Sequence, residues 1–136
     1  MDTLLTIPDN IEVTETPTSI YWFDEDGILC SVNKKAPEPT MEEIRQQLED
    51  FNKMAQGRKF CMLGDVTNST PSSKETREFA ATEIPKLVIA MAMVSASPMG
   101  RMLANLFFAL KPAPYPAKMF ATVAEAKAWL RQYLDK

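Results

Sequence analysis

Two rhythms of apolar residues alternate along this chain. Short runs at Ser19–Phe23, Ile28–Val32, Phe60–Leu63, Leu87–Val94 and Ala117–Phe120 have the β-branched, aromatic or continuously apolar content of strands. Between them lie longer stretches whose apolar residues stand three and four apart. Met41, Ile44, Leu48, Phe51 and Ala55 make one such stripe, and Val123, Ala126, Trp129, Leu130 and Tyr133 make another. The pattern predicts about five main strands and four helices, with Trp129 turned into the core.

Turn and cap residues fix the boundaries. Asp24-Glu25-Asp26-Gly27 is a turn, so the first two strands form an antiparallel hairpin. Three times a hydroxyl-x-x-Glu pattern precedes a helical stretch: Thr40 with Glu43, Ser72 with Glu75, and Thr122 with Glu125. In each, the hydroxyl can accept the N–H three residues on while the glutamate reaches back to the cap. Gly57 closes the first helix, and Pro85 stops the second, which runs from Ser73 to about Ile84. Ser97-Pro98 opens the third, and Pro112, Pro114 and Pro116 forbid its continuation past Leu110. The fourth covers Val123 to Leu134. Residues 1–17 read as an N-terminal extension with room for an edge strand at Ile11–Glu15.

Strands alternating with helices of this length need right-handed crossovers and a mostly parallel sheet. The run Leu87–Val94 suits a central strand covered on both faces. At 136 residues, with no internal repeat, the chain reads as a single α/β domain spanning 1–136.

Composition narrows the chemistry. There is no histidine, which removes the commonest general base, the commonest zinc ligand and every Ser-His-Asp arrangement. Four glycines cannot assemble a dinucleotide fingerprint or a Walker loop. Cys30 and Cys61 sit in apolar strands and read as core residues of a protein in a reducing compartment. The net charge is −3 and the basic residues are scattered, against the clustered basic surface that nucleic acid requires. The longest apolar stretch, Leu87 to Ala96, falls far below the roughly 20 residues of a membrane span. The N-terminus lacks the basic start of a secretory leader. The expectation is a soluble cytoplasmic protein without cofactor or metal, and not an enzyme.

Two regions could carry function. Open α/β sheets bind ligands beyond the carboxyl ends of their strands, here at Gly64–Thr70, Ser95–Ser97 and Ala121-Thr122. Asp65 there is a turn-capping residue or a lone acid or metal ligand. Ser69, Thr70, Ser72 and Ser73 are loop and cap hydroxyls or a regulatory phosphosite, since a helix N-terminus favours phosphate. The third helix is the other region. Met99, Met102, Leu103, Leu106, Phe107 and Phe108 are more apolar residues than one buried stripe takes. They form a broad core face, a protein interface such as a homodimer contact, or the wall of an apolar pocket.

The hairpin, the strand–helix units after it and the closing stretch Ala117-Lys118-Met119-Phe120-Ala121-Thr122-Val123-Ala124-Glu125-Ala126-Lys127-Ala128-Trp129-Leu130 resemble the SpoIIAA-like fold. That fold includes the STAS domains of anti-sigma-factor antagonists and the related CRAL-TRIO lipid-binding domains. A short strand followed by x-Glu-Ala-x-x-Trp-Leu is similar to the end of many uncharacterised bacterial STAS-like proteins, and the likeness covers about residues 18–134. It implies a non-enzymatic regulatory or partner-binding module in a bacterial cytoplasm. The alternative is a binding protein for a small apolar or lipid-like ligand near the third helix. One departure stands out. The antagonists carry an Asp-Ser-Ser/Thr-Gly-like phosphorylation segment where this chain has Asp65-Val66-Thr67-Asn68-Ser69-Thr70-Pro71-Ser72-Ser73, without the glycine.

Overall fold

The computed structural model describes residues 3–69, 73–110 and 113–134, with backbone alone at Leu103, Phe107, Phe108 and Leu110. The elements are β1 (Thr14–Glu15), β2 (Ser19–Phe23), β3 (Leu29–Asn33), α1 (Met41–Met54), β4 (Phe60–Asp65), α2 (Lys74–Glu83), β5 (Val88–Val94), α3 (Pro98–Leu110), β6 (Ala117–Phe120) and α4 (Val123–Leu134). Among the described residues the sheet has six strands, the five expected and the two-residue β1 inside the expected edge segment. A turn of 3-10 helix at Ile84–Lys86 carries Pro85 and delays β5 to Val88.

The strands lie in chain order, β1 to β6. β2 runs antiparallel to both its neighbours, β1 and β3, and β3 through β6 are parallel. Each parallel step moves one strand further in the same direction, so right-handed crossovers lay α1, α2 and α3 on one face. On that face Phe51 of α1 packs against Tyr21, Leu29, Phe60 and Val88. Its ring meets Tyr21 edge-on, with centroids 4.8 Å apart.

The opposite face keeps α4 alone among the helices. Ala126 and Leu130 are fully buried there over Cys61, Leu63, Ala90, Ala92 and Val94. Six strands span about 24 Å and a helix is about 10 Å wide, so α4 cannot cover the whole face. The N-terminal segment fills part of the remainder, with Leu5 buried in this cluster and Leu4 and Val13 packed against it.

Caps define the helix starts as the sequence suggests, with one displacement. Thr40 and Glu43 form the reciprocal box, at 3.1 Å and 2.9 Å. Thr122 Oγ1 accepts the Glu125 N–H at 3.2 Å. At α2 the cap is Ser73, not Ser72: its Oγ accepts the Thr76 N–H at 3.2 Å. Glu75 is thereby the second helical residue and cannot reach back. Glu38, from the loop before α1, accepts the Ser73 N–H at 2.7 Å in its place. Ser72 lies outside the described residues.

Two packing expectations change. Burial alternates along β5, with Ala90, Ala92 and Val94 buried and Ile89, Met91 and Met93 half-buried, so the strand is not sealed on both sides. Trp129 is half-buried, its ring against Phe120 and Tyr133 at 5.5 Å and 5.1 Å. Helix α4 is turned so that Ala126 and Leu130 point inward, and Trp22 on β2 is the buried tryptophan. Urea melts should therefore rank Trp22→Ala, at about 3–5 kcal/mol, above Trp129→Ala, with Leu130→Ala costing about 2–5 kcal/mol. A larger loss for Trp129→Ala than for Trp22→Ala would contradict this packing.

Candidate functional site

The carboxyl ends of β4 and β5 are held by a network centred on Asp65. This residue alternates with Cys61 and Leu63, so its side chain lies on the α4 face, and it is fully buried. A buried carboxylate must be hydrogen-bonded at both oxygens or it is very costly. Oδ1 accepts from the Thr67 backbone N–H at 3.0 Å and from the Thr67 hydroxyl at 2.6 Å. Oδ2 accepts from the consecutive backbone N–H groups of Leu4 and Leu5, at 2.5 Å and 2.9 Å. Thr67 Oγ1 in turn accepts the Ala96 N–H at 3.0 Å, linking the ends of β4 and β5. Asp65 thus caps its turn, as the sequence suggests, and also anchors the N-terminal segment. No cluster of Cys, Asp and Glu among the described residues could hold a metal ion.

Of the hydroxyl segment, Ser69 and Ser73 are among the described residues. Ser69 is exposed and receives the Asn33 side-chain amide. Thr70 and Ser72 lie outside the described residues, and Ser73 is engaged as the α2 cap. The anion position at this helix start is taken by the exposed carboxylate of Glu38. The Ser73 N–H, the Thr76 hydroxyl and the Arg77 charge hold its pKa below the usual carboxylate value.

Among its described side chains, helix α3 presents its large apolar ones outward. Met99, Met102 and Leu106 are 60%, 57% and 56% exposed, although all three project within one narrow arc of the helix. The half-buried residues among those described are instead Gly100, Arg101 and Ala104. Arg101 donates to the Ser95 carbonyl at 2.6 Å. A Cβ on Gly100 would meet Ser97 at 3.4 Å and the Ser95 hydroxyl at 3.5 Å, ordinary contacts that place the helix start beside the β5 end. The side chains of Leu103, Phe107 and Phe108 are outside the description. Met62, Met91 and Met93 are half-buried on the sheet face that α1, α2 and α3 share, and a Cβ on neighbouring Gly64 would meet open space. Two described concavities lie elsewhere. One, of about 330 Å³, is lined by polar groups including Gln46, Gln47 and Asp50. The other, of about 460 Å³ between α1 and α2, includes Arg45, Leu48 and Phe79.

Both thiols are free and buried. Burial, then the Asp24 carboxylate, pushes Cys30 from 9.0 up to about 12, and burial raises Cys61.

The sequence profile of the Domain of unknown function family DUF7793 matches residues 21–134. The chain belongs to this family. No curated protein matches it. Among solved structures it is similar to an uncharacterised DUF3478-family protein from Shewanella loihica PV-4 with a SpoIIAA-like fold. That pair shares 14% identity and a TM-score of 0.56, over 92% of this chain and 99% of the other. A protein of unknown function from Arthrobacter sp. FB24 aligns at 24% identity and TM-score 0.30, over 82% of this chain and 97% of the other. The first of these, with the topology above, makes the fold of this DUF7793 domain SpoIIAA-like.

Two measurements check this chemistry. Neither cysteine should react with iodoacetamide at pH 8 until urea unfolds the chain. Desolvation also raises Tyr21, which donates to Asp50 at 3.0 Å, from 10.0 to about 12. Cys30 and Tyr21 are both acids that the fold keeps neutral. Their stabilisation is therefore complete below the unfolded values and lost as pH rises toward about 12. The urea midpoint should fall across that window, and a flat profile would contradict the assignment.

Proposed function

We propose that this DUF7793 domain is a non-enzymatic regulatory module that binds a protein partner through the outward face of α3, the simplest partner being a second copy. The observation that carries the reading is the exposure of Met99, Met102 and Leu106 on one helical arc. Contiguous exposed apolar surface marks a contact site, and methionines make an adaptable one. The only charged side chain in α3 is Arg101, and it is engaged by the Ser95 carbonyl. Such a face meets its own copy across a two-fold axis without like-charge repulsion. The absence of histidine supports a non-catalytic role. The two free cysteines suit a reducing bacterial cytoplasm. Among the described residues no helix is long and apolar enough to cross a membrane.

A second reading, a small apolar or lipid-like ligand near α3, is supported by the half-buried Met62, Met91 and Met93 on the sheet face that α3 shares, beside the open space at Gly64. Light scattering separates the two. Wild type should be dimeric at high micromolar concentration, and Met102→Glu and Leu106→Glu should each give a monomer with an unchanged circular dichroism spectrum. A monomeric wild type would overturn self-association. Native mass spectrometry that then finds a bound apolar molecule would favour the ligand reading.

A further inference from the structure

The Asp65 carboxylate is satisfied in a way that a turn alone does not require. One oxygen serves its own turn, while the other accepts two consecutive backbone N–H groups from a segment 60 residues away in sequence. Leu5 follows those bonds into the core at 7% exposure. Beyond this dipeptide the segment is loosely held. Residues 6–12 are exposed apart from the half-buried Pro8, and Ile7 and Ile11 are each 42% exposed. The two hydrogen bonds on Asp65 Oδ2 join Leu4 and Leu5 to the domain. The family match begins at Tyr21, so Asp65 and Thr67 belong to the family region and the N-terminal segment with Leu4 and Leu5 does not.

We propose that the surface around Asp65, at the carboxyl ends of β4 and β5, is a peptide-binding site, closed in cis by the strap Thr3–Ile7. The partner it fits is an extended protein segment with two adjacent apolar residues. Their consecutive N–H groups lie on Asp65 Oδ2, and the second apolar side chain enters the core where Leu5 now sits. Main-chain donors on a fixed acceptor give affinity, and the leucine pocket gives selectivity. The tether supplies the strap at high effective concentration, so an outside peptide competes only when the strap is released. This surface lies on the α4 face of the sheet and does not depend on α3.

The test uses the full chain with Leu5→Glu, which expels the strap's anchor. A fluorescein-labelled peptide of residues 3–10 should bind Leu5→Glu, bind wild type at least ~10-fold more weakly, and lose its binding when Asp65→Asn is added. A folded Leu5→Glu that does not bind the peptide overturns the proposal, as does equal binding by wild type. Wild-type hydrogen exchange decides the matter if Leu5→Glu fails to fold. Leu4 and Leu5 amides exchanging ~100-fold faster than those of Leu63 and Ala92 would mark a strap that opens locally. Exchange at the rate of the core amides would mean that it opens only with the whole domain, and would overturn the proposal.

Discussion

Everything in this domain follows from the one-directional order of its parallel strands. With β3, β4, β5 and β6 laid side by side in chain order, right-handed connections send three helices to the same face. A doubly wound sheet reverses direction and shares its helices between two faces; this one does not. One side is therefore crowded with connecting elements, and the other depends on whatever follows the last strand or precedes the first. Helix α4 supplies part of that cover, through Ala126 and Leu130, and the N-terminal strap supplies more.

The same constraint gives Asp65 its meaning. A carboxylate at a strand end on a well-covered face would be an ordinary turn residue. On the thinly covered face it becomes the point where a separate segment is attached, because burying the charge demands donors that its own turn cannot fully supply. Two backbone N–H groups from Leu4 and Leu5 meet that demand. The attachment is strong at one dipeptide and weak on its C-terminal side, which is the profile of a segment that can open without unfolding the core.

Much of the fold was legible because local signals agreed with one another. The Asp24–Gly27 turn, the Thr40 box, the Thr122 cap and the prolines around α3 each act within a few residues, and each stands where the spacing puts it. What escaped was decided by contacts distant in sequence. Nothing near Ser72 says that Glu38 will serve the next helix start, which moves the cap to Ser73. An aspartate after a strand does not announce that residues 60 positions earlier will bond to it. The apolar stripe of α4 admits two rotations, and only the sheet beneath selects Leu130 over Trp129. Helix α3 shows the same limit from the other side: its excess of apolar residues is plain in the sequence, but its orientation is not.

That orientation connects fold to function. A helix whose small residues and bonded arginine turn inward, while its methionines and a leucine turn outward, leaves apolar surface that solvent does not favour. Peroxide footprinting across a concentration series reads this directly, since methionine oxidation follows exposure. At submicromolar protein, Met99 and Met102 should oxidise fast and the buried Met119 slowly. As concentration rises into the high micromolar range, Met99 and Met102 should become protected while Met119 does not change. Rates at Met99 and Met102 that stay fast and independent of concentration would contradict self-association through α3.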